Sequence, residues 1–392
     1  MNEAFLLAGA RTPIGKFMGG LRDVSATELG SVVIREALKR AEIGPEQVDE
    51  VIVGNVISAG LGQAPARQAA LGAGLPPTVA AVTVNKVCGS GLKAAMLAAQ
   101  AIRAGDCEIV VAGGMESMTR APHLVRGSRD GWKLGDVKLE DAMLLDGLSC
   151  PFDDCAMGMH AEYTAEKHHV SREDQDRYAV ESHHRSAKAA EQHAFDDEIV
   201  PVLVRRKREE FSITADEGPH PDCAIEDLEK LRPAFDSNGT VTAGNASMIS
   251  DGAAAVVVAN AQTADKSPAP WKARVVAQFT SGTEPRDLFI APVAAVRGVL
   301  DKAGLKPGDI DLYEINEAFA SQMLACIREL QLDPEIVNVN GGGISLGHPI
   351  GASGARVLVT LLAALHKRRL RRGLATLCLG GGNAVAMVIE RD

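Results

Sequence analysis

Apolar positions along this chain follow two alternating beats. Residues 3–9 are a short apolar run and read as a first strand. After the loop-like TPIGKFMGGLRDVSA, Thr27 stands where a helix from about Glu28 to Ala41 needs a cap. Val51, Ile52 and Val53 make the next strand, and a helix follows around Ala64–Leu71. Val82, Thr83 and Val84 form a third strand that ends in the tight turn Cys88-Gly89-Ser90-Gly91. Leu92, Ala95, Met96, Ala99 and Ile102 then recur at helical spacing, and EIVVAGGMESM (108–118) is an apolar strand closing in glycines. Apolar strands alternating with helices predict a parallel sheet with right-handed crossovers.

The same grammar returns near the end of the chain. ALKRAEIGPEQVDEVIVGN (37–55) lies over VLDKAGLKPGDIDLYEINE (299–317) at an offset of 299 − 37 = 262, so that Pro45 meets Pro307, Asp49 meets Asp311 and Val53 meets Ile315. Downstream, 336–365 repeats strand, glycine turn and helix, and 375–390 matches the strand and Gly-Gly of 108–118. The offsets drift, which indicates a divergent duplication and not a solenoid. Between the copies, 119–249 is rich in charge, His and Met. Its clear element is a helix over 171–192, with Ser171 as N-cap and Glu173 and Asp174 in the first turn. The rest reads as long loops of the kind that form lids and binding segments. DGAAAVVVAN (251–260) is again a core strand, expected to return to the first half. The expected division is 1–118 plus 250–269, a loop domain over 119–249, and 270–392.

Composition narrows the function. At 392 residues, two or three packed units are expected. The chain is 46% hydrophobic but only 4% aromatic, so small aliphatic side chains must build the core. A net charge of −10 argues against nucleic acid or an anionic membrane as partner. HKRRLRR (366–372) reads as a solvated face. Seven cysteines without regular spacing do not look like a disulfide framework and favour a reducing compartment. No signal peptide, membrane span or lipidation motif is apparent, so the expectation is a soluble cytoplasmic protein.

The chemistry gathers on glycine turns. Cys88 lies between a strand end and a helix start, where N–H groups and the helix dipole favour a thiolate. Gly89 and Gly91 are expected to turn the backbone and let a substrate come close. The second half offers His348 in GGGISLGHPIGASGAR, just before a helix opened by Pro349. LCLGGG offers Cys378, and EINEAFA offers Asn316 and Glu317 at a strand end. Taken singly, each has a bland explanation: a buried cysteine, a helix cap, a turn amide. Jointly they occupy C-terminal strand ends of a duplicated fold, the edge where α/β sheets place ligands. A thiol with an imidazole in reach is an acyl-transfer nucleophile with its base. A second thiol suits proton transfer at carbon, and exposed backbone N–H groups suit an oxyanion hole.

The chain closely resembles the thiolases, and within them the short-chain acetyl-CoA acetyltransferases. The resemblance rests on ARTPIGKFMGGL, NKVCGSGLKA (85–94), GGMESMT (113–119), LRPAF (231–235), TAGNAS (242–247), EINEAFA (314–320), NVNGGGISLGHPIGASGAR (338–356) and CLGGG (378–382), long motifs in order over essentially the whole length. It implies an α/β fold of duplicated halves packed as a layered α-β-α-β-α sandwich with an inserted loop domain. It implies that Cys88 carries the acyl group, that His348 takes its proton, and that Cys378 is the second acid/base. One oxyanion hole would use His348 and a water held by Asn316, the other the N–H groups of Cys88 and Gly380. Leu148, Phe235, Ala243, Ser247, Ala318 and Phe319 would line a pantetheine tunnel. RRKR (205–208) could draw the nucleotide phosphates, with a solvated turn as the plain alternative. Acetyl-CoA, acetoacetyl-CoA and CoA are the expected partners, coenzyme A being a substrate. No metal or redox cofactor is called for, and a homotetramer, a dimer of dimers, is expected.

Some positions depart from the family pattern: Met248-Ile249-Ser250-Asp251, Leu288-Phe289-Ile290-Ala291-Pro292, Asn383-Ala384 after the glycine triplet, and His220 near where an Arg is common. Phe289 stands where Gly is usual beside the acyl pocket, which puts chain length at issue. A metal set of Cys150, Cys155 and His160 is conceivable, but its spacing matches no tetrahedral pattern. His168–His169 and His183–His184 are expected on solvated faces or loops. The rival functions are a broader-chain 3-ketoacyl-CoA thiolase, a decarboxylating ketoacyl synthase and a non-catalytic acyl-CoA-binding protein. Cys378 speaks against the synthase, and the four reactive residues together speak against the binder.

Overall fold

The computed structural model describes residues 2–206 and 209–391. The first half contributes β1 (Ala4–Arg11), α1 (Ala26–Ala41), β2 (Glu50–Gly54), α2 (Pro65–Ala73), β3 (Ala80–Val84), α3 (Ser90–Ala104) and β4 (Ile109–Ser117). The intervening segment holds α4 (Met157–Lys167), α5 (Arg172–Glu191) and a hairpin of β5 (Val202–Arg206) with β6 (Glu209–Ile213). It is therefore more ordered than a set of long loops. β7 (Ser250–Asn260) follows, then β8 (Ala273–Gly282), α6 (Ala291–Ala303), β9 (Leu312–Ile315), α7 (Ala320–Leu330), α8 (Ile350–Arg368), β10 (Arg372–Leu379) and β11 (Asn383–Glu390).

The strands run in the order β9-β10-β11-β8-β1-β7-β4-β2-β3. Each half repeats one order outward from the centre, β1-β7-β4-β2 and β8-β11-β10-β9, and the halves meet where Phe5 and Leu6 pair with Arg274 and Ala273. The sheet is mixed: β2 runs parallel to β3 and β4, and β9 to β10, while β7 returns antiparallel between β1 and β4.

Period-two alternation builds the layers. On β4, Ile109 and Val111 join the core under α1 and α2, while Val110 and Ala112 face the core shared with α3 and α8. On β7, Ala254, Val256 and Val258 face that shared core, and Ala255, Val257 and Ala259 the other. α3 and α8 thus form the middle layer, with Gly91 at their contact. A Cβ there would stand 2.5 Å from Ala355 N. Gly91 serves helix packing, which corrects the expectation that it opens space for substrate.

The duplication has a shared backbone device. Asp49 Oδ2 accepts from Glu108 N at 2.7 Å and Ile109 N at 2.9 Å. Asp311 Oδ2 accepts from Arg371 N at 2.9 Å and Arg372 N at 2.7 Å. Pro45 and Pro307 each open a single 3₁₀ turn ahead of these aspartates.

Two boundaries differ from expectation. The cap of α1 is Ser25, two residues before Thr27. Its Oγ accepts from Glu28 N at 3.2 Å, and Glu28 Oε2 accepts from Ser25 N at 2.8 Å, a capping box. The strand expected at 336 shrinks to one parallel bridge, Tyr313 with Val337. Asn338 then turns into the left-handed region, φ 46°, and its side chain replaces the ladder. Its Oδ1 accepts from Ile315 N and its Nδ2 donates to Ile315 O, both at 2.8 Å. The inserted segment is tied to the core by the buried Arg11, which reaches Glu198 at 2.6 Å and Asp216 through two nitrogens at 2.7 and 2.9 Å. No described helix is long and apolar enough to cross a membrane.

Candidate active site

The turn between β3 and α3 is wound tightly enough to strain it. Val87, a β-branched residue, has φ 47°, a conformation that costs about 1–3 kcal/mol. Ser90 holds it there: Ser90 Oγ accepts from Lys86 N at 2.8 Å and donates to Val87 O at 2.6 Å. Cys88 follows, half-buried at the floor of a cleft of about 890 Å³. His348, Cys378 and Gly380 line the same cleft. So do Leu148, Phe235, Ala243, Ser247, Ala318 and Phe319, the whole expected tunnel set, with Met248, Phe289 and His220 from the departing positions. Asn316 stands behind the wall.

Burial pushes the Cys88 thiol up to about 11, against two N–H groups, those of Gly380 and Cys88 itself, that favour the thiolate. Burial outweighs these N–H groups, so the thiol rests protonated and needs a base. Gly380 can aim its N–H at the sulfur because Gly381 and Gly382 turn at φ 80° and 79°. A Cβ on Gly382 would meet Thr283 O at 2.3 Å.

His348 is in a state suited to accept the proton. Burial, then Arg356, lower its pKa to about 3, so the ring is neutral. Its Nδ1 lies 2.6 Å from Ser353 Oγ, and Ser353 Oγ donates to Pro349 O at 2.9 Å. With the hydroxyl proton used there, Nδ1 carries the ring proton and donates to Ser353, and Nε2 keeps its lone pair. Asn316 Nδ2 faces Nε2 at 3.5 Å. Asn316 Oδ1 is buried with no partner among the described residues, an acceptor free to hold a water. Cys378 is buried against Leu288, Phe289, Ala318 and Phe319. Burial raises its pKa well above the ordinary thiol range, and charge on Cys88 raises it further.

Ser353 and Glu116 escaped the sequence reading, and Glu317, which it offered as a reactive residue, serves as a support. Ser353 orients the imidazole. Glu116, fully buried at the end of β4, accepts from Asn55 Nδ2 at 2.8 Å, Val56 N at 3.0 Å, Ile57 N at 3.2 Å and Gly351 N at 2.9 Å. It ties the loop after β2 to the start of α8, and burial lifts its pKa to about 7. Glu317 accepts from Tyr178 Oη at 2.9 Å, Ser182 Oγ at 2.7 Å and Asn338 Nδ2 at 3.0 Å, a structural clamp beside Asn316. The signal for Glu116 was a charged residue within an otherwise apolar strand.

His183 is a correction. It is buried at the cleft wall, 5.3 Å from His220 ring to ring, because that face of α5 packs on the 218–223 loop; its neighbour His184 is exposed. Of RRKR, Arg205 pairs with Glu210 and Arg206 with Asp23, each at 2.7 Å, and neither lines the cleft. Lys207 and Arg208 lie outside the described residues.

Two thiols, a neutral imidazole and convergent N–H groups in an apolar cleft are the equipment of an acyl-transfer enzyme with a cysteine nucleophile. The thiolase N-terminal domain family matches residues 4–262 and the thiolase C-terminal domain family matches 269–391. The chain belongs to the thiolase family. It is 50% identical over 392 residues to the acetyl-CoA acetyltransferase of Cupriavidus necator and 51% identical over 392 residues to that of Escherichia coli, covering all of each protein. The crystal structure of the Bacillus anthracis acetyl-CoA acetyltransferase matches with a TM-score of 0.97 at 42% identity, over 100% of this chain and 99% of that one.

Proposed function

We propose that this chain is an acetyl-CoA acetyltransferase that interconverts two acetyl-CoA with acetoacetyl-CoA and CoA. The observation that carries the reading is the meeting of Cys88, His348, Cys378 and Gly380 in one cleft, with His348 in the tautomer of a base. In thiolysis, His348 Nε2 takes the Cys88 proton and the thiolate attacks the 3-keto carbon of acetoacetyl-CoA. The carbon–carbon bond breaks. The departing acetyl-CoA enolate takes a proton at carbon from Cys378, leaving acetyl-Cys88 and a Cys378 thiolate. CoA gives its thiol proton to Cys378 and attacks the acetyl group, and Cys88 recovers its proton from His348. Condensation is the reverse. His348 with a water held by Asn316 would stabilise one oxyanion, and the N–H groups of Cys88 and Gly380 the other. The protonated resting thiols suit this sequence, because Cys378 begins as an acid. These steps require no metal or redox cofactor.

The test is acetoacetyl-CoA with free CoA, followed by loss of the 3-ketoacyl absorbance and by the mass of an acetyl group on Cys88. Unchanged turnover by Cys88→Ala would sink the mechanism; intact CoA binding without turnover by the wild type would favour a binding protein.

Phe289 favours the short-chain reading over a broader 3-ketoacyl-CoA thiolase. It is 2% exposed and its ring stands 5.1 Å from Phe319, edge to face, filling the cleft beside Cys378. Phe289→Ala should lift relative kcat/KM for C6 and C8 3-ketoacyl-CoAs over C4 by about 10-fold or more, while costing about 3 kcal/mol of stability. A panel with no change in chain-length ratio would remove Phe289 from specificity.

Assembly as a homotetramer through the inserted segment belongs to the same reading, as do a cytoplasmic setting and a role in lipid metabolism. The support for assembly is that Trp132, Leu134 and Leu139, close together along the inserted segment, are exposed apolar side chains. Light scattering on the eluting protein decides the assembly.

A further inference from the structure

We propose that Cys150, Asp153 and His160 form a binding site for one zinc-class divalent cation, with the fourth position left to solvent. The site is built on a tight hairpin, its arms Ser149–Cys150 and Cys155–Ala156, in which Cys150 pairs directly with Cys155. The exposed tip carries Asp153, and the first turn of α4 lays His160 against the hairpin. Cys150 Sγ, an Asp153 carboxylate oxygen and a His160 ring nitrogen all lie within 4.8 Å of one another. A tetrahedral zinc with bonds of about 2.0–2.3 Å holds its donors about 3.5 Å apart, so His160 and Asp153, now 2.9 Å apart, open slightly to admit the ion while Cys150 stays within reach of both.

An independent observation concerns the histidine. His160 is 2% exposed, and neither ring nitrogen has a hydrogen-bond partner among the described residues. Its Nε2 lies 2.9 Å from Asp153 Oδ2, but at an angle that makes no hydrogen bond. A buried imidazole left without hydrogen bonds is rare and costly, and a cation set between it and the carboxylate gives the ring nitrogen that faces Asp153 a partner. Thiolate, imidazole and a single carboxylate are a borderline-soft donor set, which selects zinc over magnesium or calcium. Asp154 adds negative charge on the same tip. Arg286 is the nearby cation, and its guanidinium stacks over the Tyr163 ring at 4.0 Å. On binding, each coordinating thiol releases its proton to solvent.

The ion would act as a staple, outside the chemistry. Leu148 precedes the hairpin, Ala156 closes it and Met157 follows, and all three line the cleft. Phe152 on the tip lies over the glycine triplet: its ring would stand 3.5 Å from a Cβ built on Gly381. A metal there would fasten the cleft wall to the turn that presents Gly380.

The full-length protein, stripped by chelator under reducing conditions, is titrated with Co²⁺. A single equivalent per chain should produce tetrahedral d–d bands and a thiolate charge-transfer band, and Zn²⁺ should bleach both. Loading should raise the unfolding temperature. Cys150→Ser and His160→Gln should lose the bands. Asp153→Asn, on the exposed tip where folding is not at risk, should weaken the titration. The bands should persist in the Cys88→Ser/Cys378→Ser double variant. Bands that persist in Asp153→Asn and His160→Gln alike, or that vanish in the double variant, overturn the site and move the ion to the catalytic cleft. An as-purified mass two hydrogens short, mapped to Cys150 and Cys155, overturns it as well, because the pair is then a disulfide.

Discussion

The two halves share a cradle and differ in what they set on it. Cys88 sits two residues before α3 and His348 two residues before α8, so the proposed nucleophile and base occupy corresponding turns. The first turn is short, carries strain at Val87, and leaves Cys88 only partly buried. The second replaces a strand with the Asn338 side chain, runs long, and leaves its imidazole 6% exposed. The chemistry explains the asymmetry. The nucleophile must touch the substrate, whereas the base need only touch the nucleophile. Duplication thus supplied two strand-to-helix turns facing one cleft, and each was free to specialise because the backbone clamps beneath them did the holding.

The largest expected effects break that division of labour. Cys88→Ala should lower kcat by about 10⁴-fold or more, with no acetyl-enzyme by mass spectrometry. Cys378→Ser should lower overall turnover by about 10²–10⁴-fold and yet allow acetylation of Cys88 by acetyl-CoA. The split between the two thiols is the informative result. If Cys378→Ser also abolishes acetyl-Cys88, the second half supplies more than a proton.

Ser353→Ala tests the base with a smaller effect. The imidazole loses the acceptor that holds its proton on Nδ1, so kcat should fall about 10–100-fold with KM little changed. Ser353→Thr should restore part of it; equal losses in both variants would reduce Ser353 to packing. The first half answers with a pH measurement. With the Cys88 thiol pushed up to about 11, its alkylation by iodoacetamide should climb about tenfold per pH unit from 7 to 10. A plateau below pH 9 would mean that the N–H groups of Gly380 and Cys88 outweigh burial.

Much of this was legible before any coordinates. Strand, turn and helix follow from periodicity, and the offset of 262 foretold the partner turns. What escaped was decided over short distances or across the fold. Ser25 and Thr27 are hydroxyls two positions apart, and only the box with Glu28 separates them. Asn338 cut a strand short with its own side chain, which an apolar pattern cannot reveal. Gly91 looked like space for a substrate and is space for a helix. The hairpin that gathers Cys150, Asp153 and His160 has two-residue arms, too short for any period, so the sequence offered Cys150 and His160 with Cys155 and missed Asp153.

The finest test asks whether the two cradles are equivalent in energy as well as in shape. Asp49 and Asp311 each hold two backbone N–H groups at the start of the next parallel strand, within 2.7–2.9 Å. Neither lines the cleft. Asp49→Ala and Asp311→Ala should each cost about 1–3 kcal/mol in denaturant unfolding, because two donors lose a charged acceptor. Both positions reach solvent, where water replaces part of the lost bond, so the low end of that range is expected. Turnover per folded enzyme should be unchanged in both. A tenfold loss of kcat in one alone would show that a half transmits its clamp to its reactive turn and that the duplication is mechanically unequal. Equal, purely thermodynamic losses would show that the cradle is common property and that Cys88 and His348 owe their difference to the turns.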